Sequence, residues 1–562
     1  MPTPAFTFYS TMSASASFLA PSPSFAPFRG SKEVPRMFSV SDLKSIACNK
    51  KENRTSKLYI IPITTVTRFC ASRASLESLH FADTNANQNH RINEFETELN
   101  EFFDEVKTMI RMGKRDDALD LLNANYEVVK DRMNAGSKGI QEAAILDVLA
   151  LGYVAVGDLK TVAFLLNVMR KVIDNLKDDT PHLDLILMHM GSMYSTLSKF
   201  GKSLDTYQRA FNIMERTYGK DSPFLVTPYL AMAKVLGSTG KATKAIEKYQ
   251  SAITILESKR GAESKDLVVP LLGLGNLLLK ERRVNDAETH FTRVLDIYTK
   301  SYGQNDGRIG LAMSSLAQVK CAQGKSDEAI NLYEHALHVM KDSNYLSADD
   351  SIMEKMRVDL AELLHAVGRA QEGRELLEEC LLITERHKGK GHPGLVTHMI
   401  NLATSYSRSK NYAEAEHLLR RSLEIMIKQK GSDDQSVSFP MLQLAVTLYH
   451  LKQDEEAEKL ALDALRIREK AFGEDSLPVG EALDCLVSIQ TRVGKDESEL
   501  VVLLRRILGI QEKEFGYESE EVLVTVKKIV FLLDKLGRRD EMLPLQRRLS
   551  LLRKKYKQMI HH

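Results

Sequence analysis

The sequence predicts an all-α fold, an α-solenoid of about eleven helical hairpins, and three repeating features lead to this prediction. The first is a turn between two helical segments, which recurs every 39 to 44 residues. These turns are expected at Gly113, Gly157, Gly201, Gly240, Arg282, Gly324, Gly368, Lys410, Lys452, Gly494 and Gly537. Glycine suits such positions because the residue that follows a helix often needs a positive φ. An apolar helical face that stops, turns and resumes at this spacing indicates one hairpin per repeat.

The second feature is a glycine that closes each second helix, and the third is a pair of small residues in each hairpin. The closing glycines are Gly219, Gly261, Gly303, Gly389, Gly431, Gly473 and Gly516. Small residues recur on the first helix at Ala233, Gly275, Ala317, Ala361, Ala403 and Ala445, and on the second helix at Ala245, Ala287, Ala329, Gly373, Ala415 and Ala457. Because the two series stay in step, we expect the paired helices to approach closely at these positions.

The best-formed unit runs from Lys388 to Gly431 and carries the motifs of a known repeat family. They are Gly391-His392-Pro393, Asn401-Leu402-Ala403, Tyr412-Ala413-Glu414-Ala415-Glu416 and Arg421-Ser422-Leu423-Glu424-Ile425. These residues resemble tetratricopeptide repeats, in the variety of about 42 residues that kinesin light chains carry. The resemblance covers residues 93 to 558 and implies a right-handed superhelix. A kinesin light chain has a long coiled coil ahead of its repeats, which is missing here, so attachment to a motor does not follow.

Residues 1–70 differ in composition from the rest of the chain. They hold nine Lys or Arg but only three acidic residues, with Ser and Thr throughout. A hydroxylated, acid-poor and mildly basic leader is typical of organelle transit peptides, and the lack of an early Arg favours a chloroplast over a mitochondrial address. We expect cleavage after Cys70. A disordered tail without a targeting role is the alternative.

The remaining chain divides into a linker and the repeat array. Residues 71–92 are polar and aperiodic, which predicts a linker. The solenoid is expected at 93–558, with degenerate repeats at 93–219, regular repeats at 223–516 and a C-terminal cap at 519–558. In the degenerate part, Val162 and Thr206 occupy positions where the regular units hold a small residue. Such degeneracy is expected at the ends of an array, because a terminal repeat packs on one side only.

Composition and motifs argue against most chemistries. The chain has 77 basic and 75 acidic residues, so there is no overall nucleic-acid footprint. The five cysteines show no paired metal-ligand spacing, and the Gly-Lys-Ser sequences at Gly201 and Gly324 lack the upstream glycine of a phosphate loop. No apolar run is long enough to span a membrane. We therefore expect no metal, no cofactor and no catalytic activity. The basic cluster between Arg547 and Lys557 leaves peripheral contact with an anionic membrane or with RNA open.

Residues that bind a partner are expected on the first helices, because these helices line the concave face of a stacked array. Counting six residues back from each turn selects Ser195, Lys234, Asn276, Gln318, Glu362 and Thr404, and Asn401, Gln443 and Tyr449 lie nearby. Most of these side chains are uncharged amides or hydroxyls. They predict recognition of a protein or an extended peptide through hydrogen bonds.

The predicted function is that of a non-catalytic scaffold or adaptor that holds a protein or peptide in its groove. We expect it to aid the biogenesis, assembly or regulation of a chloroplast complex, in the stroma or at the stromal surface of the thylakoid. Two alternatives remain. One is a cytosolic adaptor related to kinesin light chains that serves cytoskeleton or cargo, and the other is an RNA-associated organellar factor.

Overall fold

The structure of the protein is a computed structural model that describes Leu99 and residues 101–560. The expected transit peptide at residues 1–70 and the linker at 71–92 lie outside the described residues. In the part that is described, 22 α-helices follow one another without a β-strand. They pair in chain order into eleven helical hairpins, which confirms the predicted all-α array of hairpins. We number the hairpins as repeats 1 to 11.

Each repeat consists of a first helix and a second helix. The first helices are α1 (101–111), α3 (Ile140–Val156), α5 (Leu183–Thr196), α7 (Val226–Ser238), α9 (Val268–Lys280), α11 (Gly307–Ala322), α13 (Ser351–Ala366), α15 (Gly394–Arg408), α17 (Ser438–His450), α19 (Leu477–Val493) and α21 (Glu520–Lys535). The second helices are α2 (Arg115–Asn134), α4 (Leu159–Ile173), α6 (Phe200–Tyr218), α8 (Ala242–Arg260), α10 (Val284–Tyr302), α12 (Ser326–Asp342), α14 (Ala370–Lys388), α16 (Tyr412–Lys430), α18 (Asp454–Phe472), α20 (Glu497–Phe515) and α22 (Arg539–Ile560). Short 3-10 turns precede α7, α9 and α17.

The turn inside each hairpin contains one residue with positive φ, and its position confirms ten of the eleven expected turns. The exception is repeat 3, where the expected Gly201 lies within α6 and Ser198 takes the positive φ of 57°. Gly201 follows the start of a helix, so it looks like a turn residue in the sequence although its backbone is helical. With Ser198 in place, neighbouring turns are 41 to 44 residues apart.

The loop from one repeat to the next also follows a common pattern. Each of the seven expected closing glycines has a φ between 81° and 87°. Three residues after the glycine, a polar side chain usually accepts a hydrogen bond from a backbone N–H at the start of the next first helix or of the 3-10 turn before it. Asp306 accepts from Arg308, Asp434 accepts from Ser436, and His392 accepts through Nδ1 from Gly394 at 3.0 Å. These side chains cap the otherwise unpaired N–H groups at the helix start.

The small-residue pairs are buried where the helices of a hairpin meet. All twelve residues of the two series are buried, and the ten alanines among them have no exposed surface. Repeat 3 needs a correction, because Thr206 is only half-buried and does not take this position. The pair there consists of Gly191 and Ser203, which is fully buried. Repeat 3 therefore keeps a small pair that the misplaced turn concealed.

The described residues form two compact units, with a boundary between Ile297 and Tyr298 inside α10. The first unit comprises residues up to 297, and its core joins leucines, methionines and tyrosines of repeats 1 to 4. The second unit begins at residue 298, and its largest core cluster spans repeats 7 to 10. We call them the N-unit and the C-unit. In both units the core is formed between neighbouring repeats, as expected for a linear array.

In four repeats, an arginine on the second helix reaches back to the preceding repeat. It pairs with the glutamate four residues before the closing glycine and donates a hydrogen bond to the carbonyl of the residue after that glycine. We call this contact the arginine clamp. The clamps join Arg293 to Glu257 and Ala262, Arg421 to Glu385 and Lys390, Arg506 to Glu469 and Glu474, and Arg548 to Glu512 and Tyr517. An ion pair combined with a loop carbonyl fixes the end of one repeat against the next.

The junction between repeats 7 and 8 buries histidine side chains. His365 is 9% exposed, and its Nε2 lies 2.9 Å from Oγ of Ser405 on the next first helix. Burial, together with the positive charges of Arg408 and Arg374, lowers the pKa of His365 to about 4. The imidazole is therefore neutral at pH 7, and its uncharged form holds the contact with Ser405.

A second histidine, His398, crosses the same junction. It is 1% exposed, with Nε2 at 3.2 Å from Thr384 Oγ1 and at 3.6 Å from Glu354 Oε1. Among the described residues, its Nδ1 has no hydrogen-bond partner. Burial lowers the pKa of His398, although the charge of Glu354 opposes this effect.

Candidate functional site

In each unit, first helices of neighbouring repeats contact one another. In the N-unit, α3 contacts α5, α5 contacts α7 and α7 contacts α9; in the C-unit, α17 contacts α19. We call the face of this layer that points away from the second helices the inner surface. Positions two, six and nine residues before each turn share this face, because their spacing of three and four residues follows the helical period.

The corrected turn of repeat 3 changes one of the predicted site residues. Six residues before Ser198 is Ser192, so Ser192 and not Ser195 is equivalent to Lys234 and Asn276. Ser195 lies three residues before the turn, in the register of Tyr449. Both serines are half-buried. The error arose because the turn in repeat 3 uses a serine instead of a glycine.

The remaining residues six positions before a turn differ in exposure. Lys234 and Asn276 are exposed, whereas Gln318, Glu362 and Thr404 are half-buried. The hydroxyl of Thr404 donates to the carbonyl of Ile400 in its own helix at 2.8 Å. The structure therefore leaves Lys234 and Asn276 as the side chains with the most accessible surface in this group.

Gln318 belongs to a polar cluster in the C-unit. Its side chain hydrogen-bonds with Tyr333 and with Asp359, and the Tyr333 hydroxyl lies 3.5 Å from Asp359 Oδ2. Burial raises the pKa of Asp359, and the nearby charge of Lys355 offsets only part of this effect, so that the pKa is about 6. The amide of Gln318 is thus already engaged in a hydrogen bond with the carboxyl group of Asp359.

Three predicted residues lie on α15 and α17. Asn401 is only 2% exposed, which removes it from the accessible surface and places it in the core between repeats. Gln443 and Tyr449 are half-buried. The guanidinium of Arg492 lies 3.4 Å above the centre of the Tyr449 ring and donates to the Tyr449 carbonyl at 2.5 Å. This arginine also pairs with Asp454, so the ring of Tyr449 is held in a fixed arrangement.

Sequence reasoning missed one polar pair on the first helices of the N-unit. Nδ1 of His189 lies 2.6 Å from Oδ2 of Asp147, and the side chains are 14% and 6% exposed. Burial lowers the pKa of His189, but the charge of Asp147 and its hydrogen bond together outweigh burial, so the net shift is upward. His189 lies nine residues before Ser198, so the corrected turn is the signal that would have placed it on the inner surface.

The basic cluster near the C-terminus is partly engaged within the fold. Arg548 forms an arginine clamp, and Lys555 pairs with Glu518. Arg547, Arg553 and Lys554 are exposed.

Two findings concern other kinds of site. Among the described residues, no group of three or more His, Cys, Asp or Glu is placed to hold a metal ion. No helix in the same part of the chain combines the length and the apolar character that crossing a membrane requires.

Comparison with known proteins identifies the repeats. Sequence models of the tetratricopeptide repeat match residues 183–258, 266–342 and 353–428, and a second tetratricopeptide-repeat model matches residues 441–477. These segments fall on repeats 3 to 9. No curated protein matches the chain.

Solved structures with similar helical arrays align over part of the chain. Repeats of a putative kinesin light chain from Podosopora anserina are 21% identical, with a TM-score of 0.34, over 37% of this chain and 97% of that one. BtubC from P. vanneervenii is 19% identical, with a TM-score of 0.36, over 43% and 92%. The apo form of the quorum sensor NprR from B. thuringiensis is 12% identical, with a TM-score of 0.41, over 66% and 99%. The assignment of the repeats rests on the sequence models.

Proposed function

Because this chain carries tetratricopeptide repeats, we propose that it is a non-catalytic scaffold or adaptor that binds a segment of a partner protein on the inner surface of its first helices. The observation that supports this most directly is the match of seven consecutive hairpins to the repeat family, together with accessible polar side chains such as Lys234 and Asn276 on the first helices. An extended segment laid along such a layer offers its backbone to side chains from several repeats.

We further propose that the partner belongs to a chloroplast complex whose biogenesis, assembly or regulation the chain assists. The support is the acid-poor, Ser- and Thr-rich composition of residues 1–70, which resembles a transit peptide. The alternative, a cytosolic adaptor, would bind its partner in the same way, but residues 1–70 would then be a tail without a targeting role. The charge balance of 77 basic and 75 acidic residues speaks against RNA as the main partner.

One experiment tests both proposals. The full chain with a C-terminal tag is expressed in plant cells and located, and mass spectrometry identifies its mature N-terminus and the proteins that co-purify. We expect a chloroplast protein that begins near Ala71 and brings down a defined set of organellar proteins. A cytosolic protein that keeps residues 1–70 would contradict the chloroplast proposal. Retention of RNA that is lost with rising salt would favour the RNA-associated alternative.

A further inference from the structure

At the position six residues before the turn, the inner surface of α7 and α9 is more accessible than that of the other first helices in repeats 3 to 10. In repeats 3 to 10, the residue six positions before the turn is exposed only at Lys234 and Asn276. Val269, two helical turns before Asn276 on the same face of α9, is 65% exposed. The neighbouring Leu230 and Leu272 are half-buried. We call these five residues the α7–α9 patch.

The charge on this patch is of one sign. Neither α7 nor α9 contains an aspartate or a glutamate. Among the described residues, the ammonium group of Lys234 makes no ion pair and no hydrogen bond. In the C-unit, by contrast, Lys528 on a first helix lies 2.5 Å from Asp484 and is already neutralised. A partner that approaches Lys234 therefore meets a cation that is not already paired, on two helices that carry no carboxylate of their own.

Two kinds of contact hold α7 and α9 together under the patch. The ammonium of Lys280, at the end of α9, donates to the carbonyl of Gly237 in α7 at 3.3 Å. The two helices also contact each other directly. A surface that is already ordered loses little conformational entropy on binding, so a modest number of contacts suffices for measurable affinity.

We propose that the α7–α9 patch takes a partner segment that carries a carboxylate next to an aliphatic side chain. The carboxylate pairs with Lys234, and the aliphatic side chain covers Val269 and the half-buried leucines. The amide of Asn276 hydrogen-bonds to the backbone of the extended segment. The inference rests on the proposed function, to which it adds a location in the N-unit and a partner chemistry.

Selection from a random peptide library, displayed on phage and presented to the immobilised full chain, tests the inference. We expect the selected peptides to be enriched in Asp or Glu beside Leu, Ile or Val. Affinities of the best synthetic peptide are then measured by fluorescence polarisation for the parent and for Lys234→Glu. Reversal of the charge is expected to weaken binding about tenfold or more, because it turns one ion pair into a repulsive contact.

Two matched variants control for general effects. Lys244→Glu makes the same change at an exposed position of α8, in the second helix of the same repeat, and should change the affinity less than about twofold. Val269→Ser should weaken binding several-fold without altering the charge. A peptide in which lysine replaces the carboxylate should bind Lys234→Glu better than it binds the parent.

The possible results distinguish failure of this inference from failure of the proposed function. If selected peptides lose affinity on Gln443→Glu in the C-unit but not on Lys234→Glu, the α7–α9 patch is the wrong location, although binding to first helices stands. If they show no preference for acidic residues and bind Lys234→Glu as well as the parent, the partner chemistry is wrong. If no peptide is selected at all, both the proposed peptide binding and this inference fail.

Discussion

Ser203 donates a hydrogen bond from its Oγ to the carbonyl oxygen of Gly191, 2.7 Å away, and so joins the two helices of repeat 3 at their closest approach. A Cβ atom built on Gly191 would lie only 2.5 Å from the ring of Tyr207. The same construction at Gly201, in the same repeat, meets no atom within 4 Å. The two glycines therefore have different roles, and only Gly191 is required by packing.

Gly191→Ala is expected to lower the free energy of unfolding by about 1–3 kcal/mol, because the Tyr207 ring must move out of a packed core. Gly201→Ala, on the exposed side of α6, should instead raise it by up to about 1 kcal/mol, since alanine favours the helix over glycine. Urea unfolding followed by circular dichroism measures both. Equal effects of the two changes would contradict the register assigned to repeat 3.

Ala415 tests the small-residue pairing in the C-unit. It has no exposed surface and belongs to the core between repeats 7 and 10. Ala415→Arg should destabilise the C-unit by more than about 3 kcal/mol, because a charged side chain cannot be accommodated there. Ala413→Arg, two residues earlier and exposed, should unfold like the parent within about 0.5 kcal/mol. Similar melting curves for Ala415→Arg and the parent would refute the packing.

Arg421 tests the arginine clamp. Arg421→Met keeps the aliphatic stem but removes the pair with Glu385 and the hydrogen bond to the Lys390 carbonyl, so a loss of about 1–2 kcal/mol is expected. A double-mutant cycle with Glu385→Gln isolates the coupling between the two side chains. A coupling energy near zero would mean that the clamp is an incidental surface contact.

The lowered pKa of His365 predicts how the free energy of unfolding depends on pH. Its pKa is lowered to about 4 in the folded protein, whereas an unfolded imidazole titrates near 6.5. Between these values the unfolded chain binds more protons than the folded one, so the free energy of unfolding falls as the pH drops from about 6.5 towards 4. The expected loss is about 1–3 kcal/mol.

His365→Gln keeps a side chain that can hydrogen-bond to Ser405 but cannot titrate. Urea unfolding at pH 7 and pH 4.5 should show a smaller pH dependence for this variant than for the parent. Carboxylates elsewhere contribute equally to both proteins, so the difference between the two slopes is the informative quantity. Identical slopes would show that His365 is not neutral in the folded state.

The period of the array could be read from the sequence because most turns and loop ends use glycine, whose role there is conformational. The prediction of the turn failed at repeat 3, where Ser198 adopts the positive φ and a helical glycine lies three residues later. The misplaced turn caused two further errors. Ser203 was not identified as the small buried residue of the second helix, and Ser195 was selected as an inner-surface residue in place of Ser192. A serine whose hydroxyl donates a hydrogen bond to a helix carbonyl can take the place of a small core residue. Composition alone does not reveal this.

The site was less predictable than the fold. Periodicity places a residue on a face of a helix, but exposure depends on side chains from the neighbouring repeats. Asn401 and Gln443 occupy the same position of successive repeats, and yet Asn401 is 2% exposed while Gln443 is half-buried. The pairing of His189 with Asp147 joins residues 42 positions apart, so it depends on how two repeats stack.

The arginine clamps bear on how freely the repeats could be exchanged. Arg421 of repeat 8 pairs with Glu385 of repeat 7, whereas repeat 9 has Asp463 at the position of Arg421, and repeat 8 has Ile427 at the position of Glu385. A chimera that placed repeat 9 directly after repeat 7 would set Asp463 against Glu385 and replace an attraction by a repulsion. The hairpins therefore share a backbone conformation but are not interchangeable. Residues at the contacts between neighbouring repeats help to specify which repeat follows which.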